Sequence, residues 1–197
     1  MNDALKMNTA EDFRLLSYLA ADLRIARVLL HGATDGGRGP QLWLGMVSPR
    51  FVPLLPCRIA HCFDRLKLGH IAKAVSLLNS VLFGIEIAVR CVISKGLFFP
   101  HTPGTVIGTW SVGMNATIFQ GVTLGAKELD FSYQESSRLT VGDGVTIGAV
   151  AKVLGSLFIG NGARIGANSV VLQSIPAQAL AVGAPARVVQ RRQGEPS

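Results

Sequence analysis

Aliphatic residues stand six apart at Val141, Ile147, Val153, Ile159, Ile165 and Val171. The same spacing runs through Val112, Ile118 and Leu124 and, one register earlier, through Ile87, Ile93 and Phe99. Four places after each of the first six stands a small or apolar residue: Val145, Ala151, Leu157, Ala163, Ser169, Ile175. A period of six matches neither a helical turn nor simple strand alternation. It is the signature of a parallel β-helix built from hexapeptides. Each unit supplies one short strand and one corner, and its two apolar positions point into the coil. Corners favour residues that tolerate positive φ. Met114-Asn115, Asp143-Gly144, Asn161-Gly162 and Ala167-Asn168 stand where the corners fall.

Composition suits such a coil. Hydrophobic residues make up 49 % of the 197-residue chain, but aromatics only 7 %. The net charge of +7 points to anionic partners such as nucleotides, acidic glycans or a membrane surface. No basic helix with interleaved aromatics stands out, so a nucleic-acid partner is not expected. Three cysteines form no disulfide framework, and reduced thiols in the cytoplasm are expected. Cys57 and Cys62 flank His61, but a metal site would need further ligands, so no metal is expected. The N-terminus carries Asp3, Glu11 and Asp12, unlike a cleavable signal. The most apolar run, Val75 to Ile93, is interrupted by Asn79, Glu86 and Arg90, which argues against a span. Peripheral attachment to a membrane face stays open.

Residues 1–84 read as a helical N-terminal domain. A helix capped by Thr9 runs to about Leu30, and Gly32 to Pro40 is a loop. A second helix follows Ser48-Pro49, starting as late as Pro53 or Pro56, and runs to about Leu66. A third spans about His70 to Phe83, stopped by Gly84. Residues 85–189 carry the hexads. Two interruptions break them: the step at His101-Thr102-Pro103-Gly104, and residues 127–138, which must loop out. Residues 176–189 are expected to cap the last coil and 190–197 to form a tail.

Several stretches resemble the serine O-acetyltransferases and the related acetyltransferases of exopolysaccharide synthesis, including the colanic-acid type. They are Gly84-Ile85-Glu86-Ile87, Pro100-His101, Ile118-Phe119-Gln120-Gly121-Val122-Thr123-Leu124-Gly125, Lys152-Val153-Leu154-Gly155, Ile165 to Leu172 and Val182-Gly183-Ala184-Pro185-Ala186-Arg187. The likeness covers most of residues 84–189. The N-terminal region is similar only through Ala21-Asp22-Leu23-Arg24 and Arg58-Ile59-Ala60-His61. The resemblance implies a left-handed β-helix, acetyl-CoA as donor, and homotrimers or dimers of trimers with sites between subunits.

Acetyl transfer to a hydroxyl needs a base, donors for the developing oxyanion, and a groove that aligns donor with acceptor. His101 is the candidate base. It is the one histidine within the hexads, it sits where the repeat breaks, and imidazole titrates near neutrality. By resemblance, Glu86 is the acidic partner that holds the imidazole, in the manner of a triad without a nucleophile. The resemblance also implies an acetyl-CoA groove along Gly125, Ala126, Ala149 and Ala167, with Arg164 near the nucleotide and Lys152 and Arg187 as further phosphate candidates.

The acceptor side departs from the serine enzymes. Pro100 stands where they carry an acidic residue, and Ser137-Arg138 where they carry an Arg-His pair; Leu30 aligns with a further acidic position. These losses suggest a saccharide or polysaccharide hydroxyl as acceptor, with Phe131 and Tyr133 offering a surface for sugar rings. Those aromatics would equally suit anchoring the loop. L-serine is the alternative acceptor, and a non-catalytic trimeric scaffold is the alternative outside catalysis.

Overall fold

The computed structural model describes residues 15–31, 48, 50–128 and 133–189, with the side chains of 27 and 29–31 set aside. Three α-helices come first: α1 (Leu15–His31), α2 (Leu54–Arg65) and α3 (Gly69–Phe83). The expected start of α1 at Thr9, the loop at 32–40, Phe131 and the tail lie outside the described residues. α2 begins after Pro53, whose fixed φ of −66° suits a helix entry, and Pro56 falls in its first turn. α3 ends at Gly84, which takes the left-handed conformation at φ 64° and returns its N–H to Ser80 O.

From residue 85 the chain runs through short strands on three sheets. The first sheet holds β1 (Ile85–Ile87), β3 (Thr105–Ile107), β6 (Thr123–Gly125), β9 (Lys152–Leu154) and β12 (Val170–Val171) in that order. The second holds β2 (Val92–Ile93), β4 (Ser111–Val112), β7 (Thr140–Val141) and β10 (Phe158–Ile159). The third holds β5 (Thr117–Ile118), β8 (Thr146–Ile147), β11 (Arg164–Ile165), β13 (Leu180–Gly183) and β14 (Ala186–Val189). From β3 to β12 successive strands visit the three sheets in turn, and pairing is parallel except between β13 and β14. Thr140 pairs with Phe158 and Thr146 with Arg164, so one circuit takes three hexads. Thr117 instead pairs with Thr146, because residues 127–138 are inserted in that circuit. The excursion ends in one 3-10 turn at Glu135–Ser137.

All six leading aliphatics, Val141 to Val171, are buried, and so are Val112, Ile118 and Leu124. Val145, Ala151, Ala163, Ser169 and Ile175 join them. The corners fall where expected: Asn115, Gly144, Gly162 and Asn168 all have positive φ. Two corners form hydrogen-bonded ladders up the stack. In one, Asn115 N, Gly144 N, Gly162 N and Gln178 N donate to Lys95, Met114, Asp143 and Asn161 carbonyls. In the other, which precedes the first sheet, Gly104 N, Gly121 N, Val150 N and Asn168 N donate to Gly84, Pro103, Gln120 and Ala149 carbonyls.

The helices are fastened to the first circuit by a buried ion pair. Arg58 Nε and Nη2 donate to Asp22 Oδ2 and Oδ1, each at 3.0 Å. Nη1 and Nη2 also reach Ile93 O and Ser94 O at 2.7 Å. Asp22 Oδ1 in turn accepts from Gly96 N at 2.7 Å and Leu97 N at 3.0 Å. Both side chains are fully buried, and the Tyr18 ring lies 4.9 Å from the guanidinium. Arg58→Met strands a buried carboxylate and two carbonyls, and is expected to cost about 3–5 kcal/mol in urea denaturation. Arg58→Met with Asp22→Leu leaves no unpaired charge, and part of that loss should return.

Near this pair, burial drives the His61 imidazole down to about 4, and the Arg58 guanidinium adds to the effect against a hydrogen bond at the Cys91 backbone. A histidine with a depressed folded pKa takes up its proton more readily when unfolded. Its contribution is therefore complete above about pH 6.5 and is lost as pH falls toward 4. Lowering the pH from 7 to 5 should cost up to about 2 kcal/mol through this group, and His61→Gln should flatten that slope.

Val150 takes φ +62° with its side chain 46 % exposed, a costly conformation for a β-branched residue that buries little in return. Asn168, one circuit on in the same ladder, takes φ 57°. Val150→Asn is expected to stabilise the fold by about 1 kcal/mol, read as a rise of about 2–4 °C in Tm.

Candidate active site

His101 lies exposed on the turn that leads into β3. The turn is fixed against the end of α3: Thr102 Oγ1 donates to Phe83 O at 3.0 Å, and Gly104 N donates to Gly84 O at 2.8 Å. Gly84 takes φ +64° there, a left-handed conformation that favours glycine. Two residues past Gly84, Glu86 occupies the middle of β1 between inward Ile85 and Ile87, and is exposed on the outer face of the first sheet. The sequence break at residues 101–104 and the glycine that stops α3 thus bring the turn that carries His101 to the strand that carries Glu86.

Up the same outer face, Glu86 pairs in register with Val106, Val106 with Thr123, Thr123 with Lys152 and Lys152 with Val170. Lys152 Nζ donates to Gly121 O at 2.6 Å and Thr123 Oγ1 at 2.9 Å. That ammonium, expected among the phosphate ligands, braces the corner whose Gly121 N donates to Pro103 O. Gln120 sits in this corner with a buried Oε1 that has no hydrogen-bond partner among the described residues. Gln120 lies in the run Ile118 to Gly125 that carries the resemblance, but it is not among the expected site residues. A buried acceptor without a donor is an uncommon feature.

The other expected residues divide between two edges of the first sheet. Ala149 and Ala167 follow β8 and β11, at the corner that also carries Pro100 and His101. Arg164 on β11 and Arg187 on β14 are exposed on the adjoining third sheet. Gly125 and Ala126 lie at the far end of β6, where the excursion leaves, with Tyr133, Ser137 and Arg138 on its return. Four of the five strands between the edges are three residues long, so roughly 10 Å separates them within one chain.

The return of the excursion is pinned to its own chain. Arg138 Nη1 donates to Gly108 O at 2.5 Å, and its guanidinium lies 3.7 Å from the centre of the Tyr133 ring. Tyr133 OH donates to Thr109 O at 2.5 Å, and the ring leans on Trp110 with centroids 6.2 Å apart. Ser137 Oγ donates to Gln134 O at 2.9 Å. Tyr133, expected as a surface for sugar rings, has one ring face and its hydroxyl committed to anchoring the loop, because a cation stacks on the π-face and a carbonyl takes the O–H.

The cysteines offer no competing nucleophile. Burial pushes the Cys57 thiol up to about 11 and the Cys91 thiol up to about 12, and thiolate chemistry needs the opposite shift. Among the described residues, no three His, Cys, Asp or Glu side chains come together to hold a metal ion.

No family model matches the chain. Curated relatives do. A serine acetyltransferase of Helicobacter pylori is 40 % identical over 147 residues, 74 % of this chain and 84 % of the relative. Among solved structures, a Neisseria gonorrhoeae serine acetyltransferase superposes with a TM-score of 0.79 at 29 % identity, covering 92 % of this chain and 68 % of that one. A soybean serine acetyltransferase complexed with serine gives a TM-score of 0.76 at 34 % identity, covering 90 % of this chain and 70 % of that one. The matches give no support to the saccharide acceptor expected from the sequence, nor to a role in polysaccharide synthesis. At this identity and coverage the chain belongs to the serine acetyltransferase family and is an acetyl-CoA-dependent O-acetyltransferase.

Proposed function

We propose that this enzyme moves the acetyl group of acetyl-CoA to the side-chain hydroxyl of L-serine. The observation that carries this reading is the likeness, along 90 % of the chain, to a serine acetyltransferase solved with serine. In the reading, the serine oxygen attacks the thioester carbonyl as His101 takes the hydroxyl proton. The tetrahedral intermediate collapses, the C–S bond breaks, and the departing CoA thiolate takes the proton back from the imidazolium. Glu86 orients His101 and stabilises its cationic form. Arg138, held under Tyr133, meets the serine carboxylate in place of the family's Arg-His pair. Arg164 and Arg187 face the phosphates of the donor.

Two structural readings go with this one. The three-sheeted stack is a left-handed β-helix of residues 85–189, preceded by a helical unit of residues 1–84. The enzyme is a homotrimer, because the edge with His101 and the edge with Arg138 lie on opposite sides of one chain's first sheet. Copies set side by side would join one chain's first edge to the next chain's second.

Purified enzyme given acetyl-CoA and L-serine should release CoA thiol and form O-acetylserine at a rate that saturates with serine. His101→Ala should reduce kcat by about 10²–10⁴-fold. Thiol release with a panel of oligosaccharides, and none with serine, would overturn the assignment of the acceptor. Full activity in His101→Ala would overturn that of the base.

A further inference from the structure

α3 turns one face inward and leaves the other without a partner among the described residues. Ala72 and Asn79 mark the buried side, and Asn79 Nδ2 donates to Pro53 O there. At 100° per residue, Leu77, Leu78 and Val81 point away from that side together with His70 and Ala74, and Ile71 and Leu82 flank them. Exposure among Ile71, Leu77, Leu78, Val81 and Leu82 runs from 45 % at Ile71 to 74 % at Val81. Leu66 and Leu68, in the turn between α2 and α3, extend the strip at 67 % and 45 %. A helix apolar on both faces is one that something covers. Scattered exposed leucines need no explanation, but a continuous strip along a whole helix does.

Charge selects the cover. From Arg65 to Ile85 the chain holds Arg65, Lys67 and Lys73 and no aspartate or glutamate. Lys67 and Lys73 are exposed on the rim of the strip, and the protein as a whole carries +7. Pairing with a second copy of the face would bring more cations to the contact and no carboxylate from this stretch to match them. A lipid surface bearing anionic headgroups answers both features. Its acyl boundary takes the leucines and valines without needing a matched shape, and its headgroups take the lysines. None of the described helices is long and apolar enough to cross a membrane, so the contact lies in the interface plane. We propose that the outer face of α3, with the turn before it, docks the enzyme on an anionic bilayer surface.

Co-sedimentation of the full-length protein with phosphatidylcholine vesicles, with and without phosphatidylglycerol, tests this. The wild type should sediment with the anionic vesicles alone and be released by added salt. Leu78→Glu with Val81→Glu should lower the partition coefficient at least tenfold. Lys67→Gln with Lys73→Gln should lower it roughly thirtyfold. Both variants should keep the wild-type rate of thiol release in the absence of vesicles. Three results would overturn the proposal. One is no sedimentation with either vesicle. The second is self-association that the Leu78→Glu variant abolishes, in a protein that ignores vesicles. The third is a loss of several degrees in Tm for that variant in plain buffer, which would mean that the chain's own segments cover the face.

Discussion

A coil of short strands has every backbone group paired only where another coil lies on each side of it. Among the described residues, the first circuit, residues 85 to 99, has a strand neighbour on one side alone. Val92 N, Ser94 N and Phe98 N donate upward to Trp110, Val112 and Ala116 carbonyls. The groups facing the other way would be an open edge, costly when buried and adhesive when exposed. Arg58 and Asp22 close part of that edge, the guanidinium taking the carbonyls of Ile93 and Ser94 and the carboxylate taking the N–H groups of Gly96 and Leu97. One ion pair does the work of a missing strand, and it draws α1 and α2 onto the stack. At the far end β14 folds back antiparallel on β13, so the last edge is turned by the chain itself.

The candidate site depends on this foundation through the turn of residues 100–104. That turn is neither a free loop nor a regular corner. It rests on the carbonyls of Phe83 and Gly84, where helix gives way to strand. The position of His101 relative to Glu86 is therefore set by the geometry of a helix terminus, where Gly84 supplies the left-handed conformation that ends the helix. The opposite edge of the first sheet is organised by other means, with Arg138 and Tyr133 clasping the carbonyls of Gly108 and Thr109.

The hexad spacing carried the register, the buried columns and the positive-φ corners, because in such a coil each of these follows from one period. The helix boundaries were legible for the same kind of local reason, in Pro53 and Gly84. What the sequence withheld was non-local. Asp22 and Arg58 belong to the scattered likeness of the N-terminal region, yet nothing in their separation of 36 residues announces that they pair. Tyr133 and Arg138 read in the sequence as groups that meet a ligand, whereas in the structure they stack on each other. Ala126 looked equivalent to Ala149 and Ala167 by motif, but it closes a strand of a different sheet, and the period does not say which edge a small residue will line. The saccharide expectation rests on three substitutions, a small sample beside the relatives' agreement along the chain, which gives it no support.

The corner through Gly84, Gly104, Gly121, Val150 and Asn168 rises by one sheet spacing per circuit, about 4.8 Å, and so stands roughly 19 Å tall. It works as a ruler built into the molecule. Lengthening it by a circuit would move whatever grips a ligand's distant end by a fixed step and leave the chemistry at the base untouched. A scaffold of this kind can change the reach of its binding surface by duplication alone, in increments set by the distance between hydrogen-bonded strands.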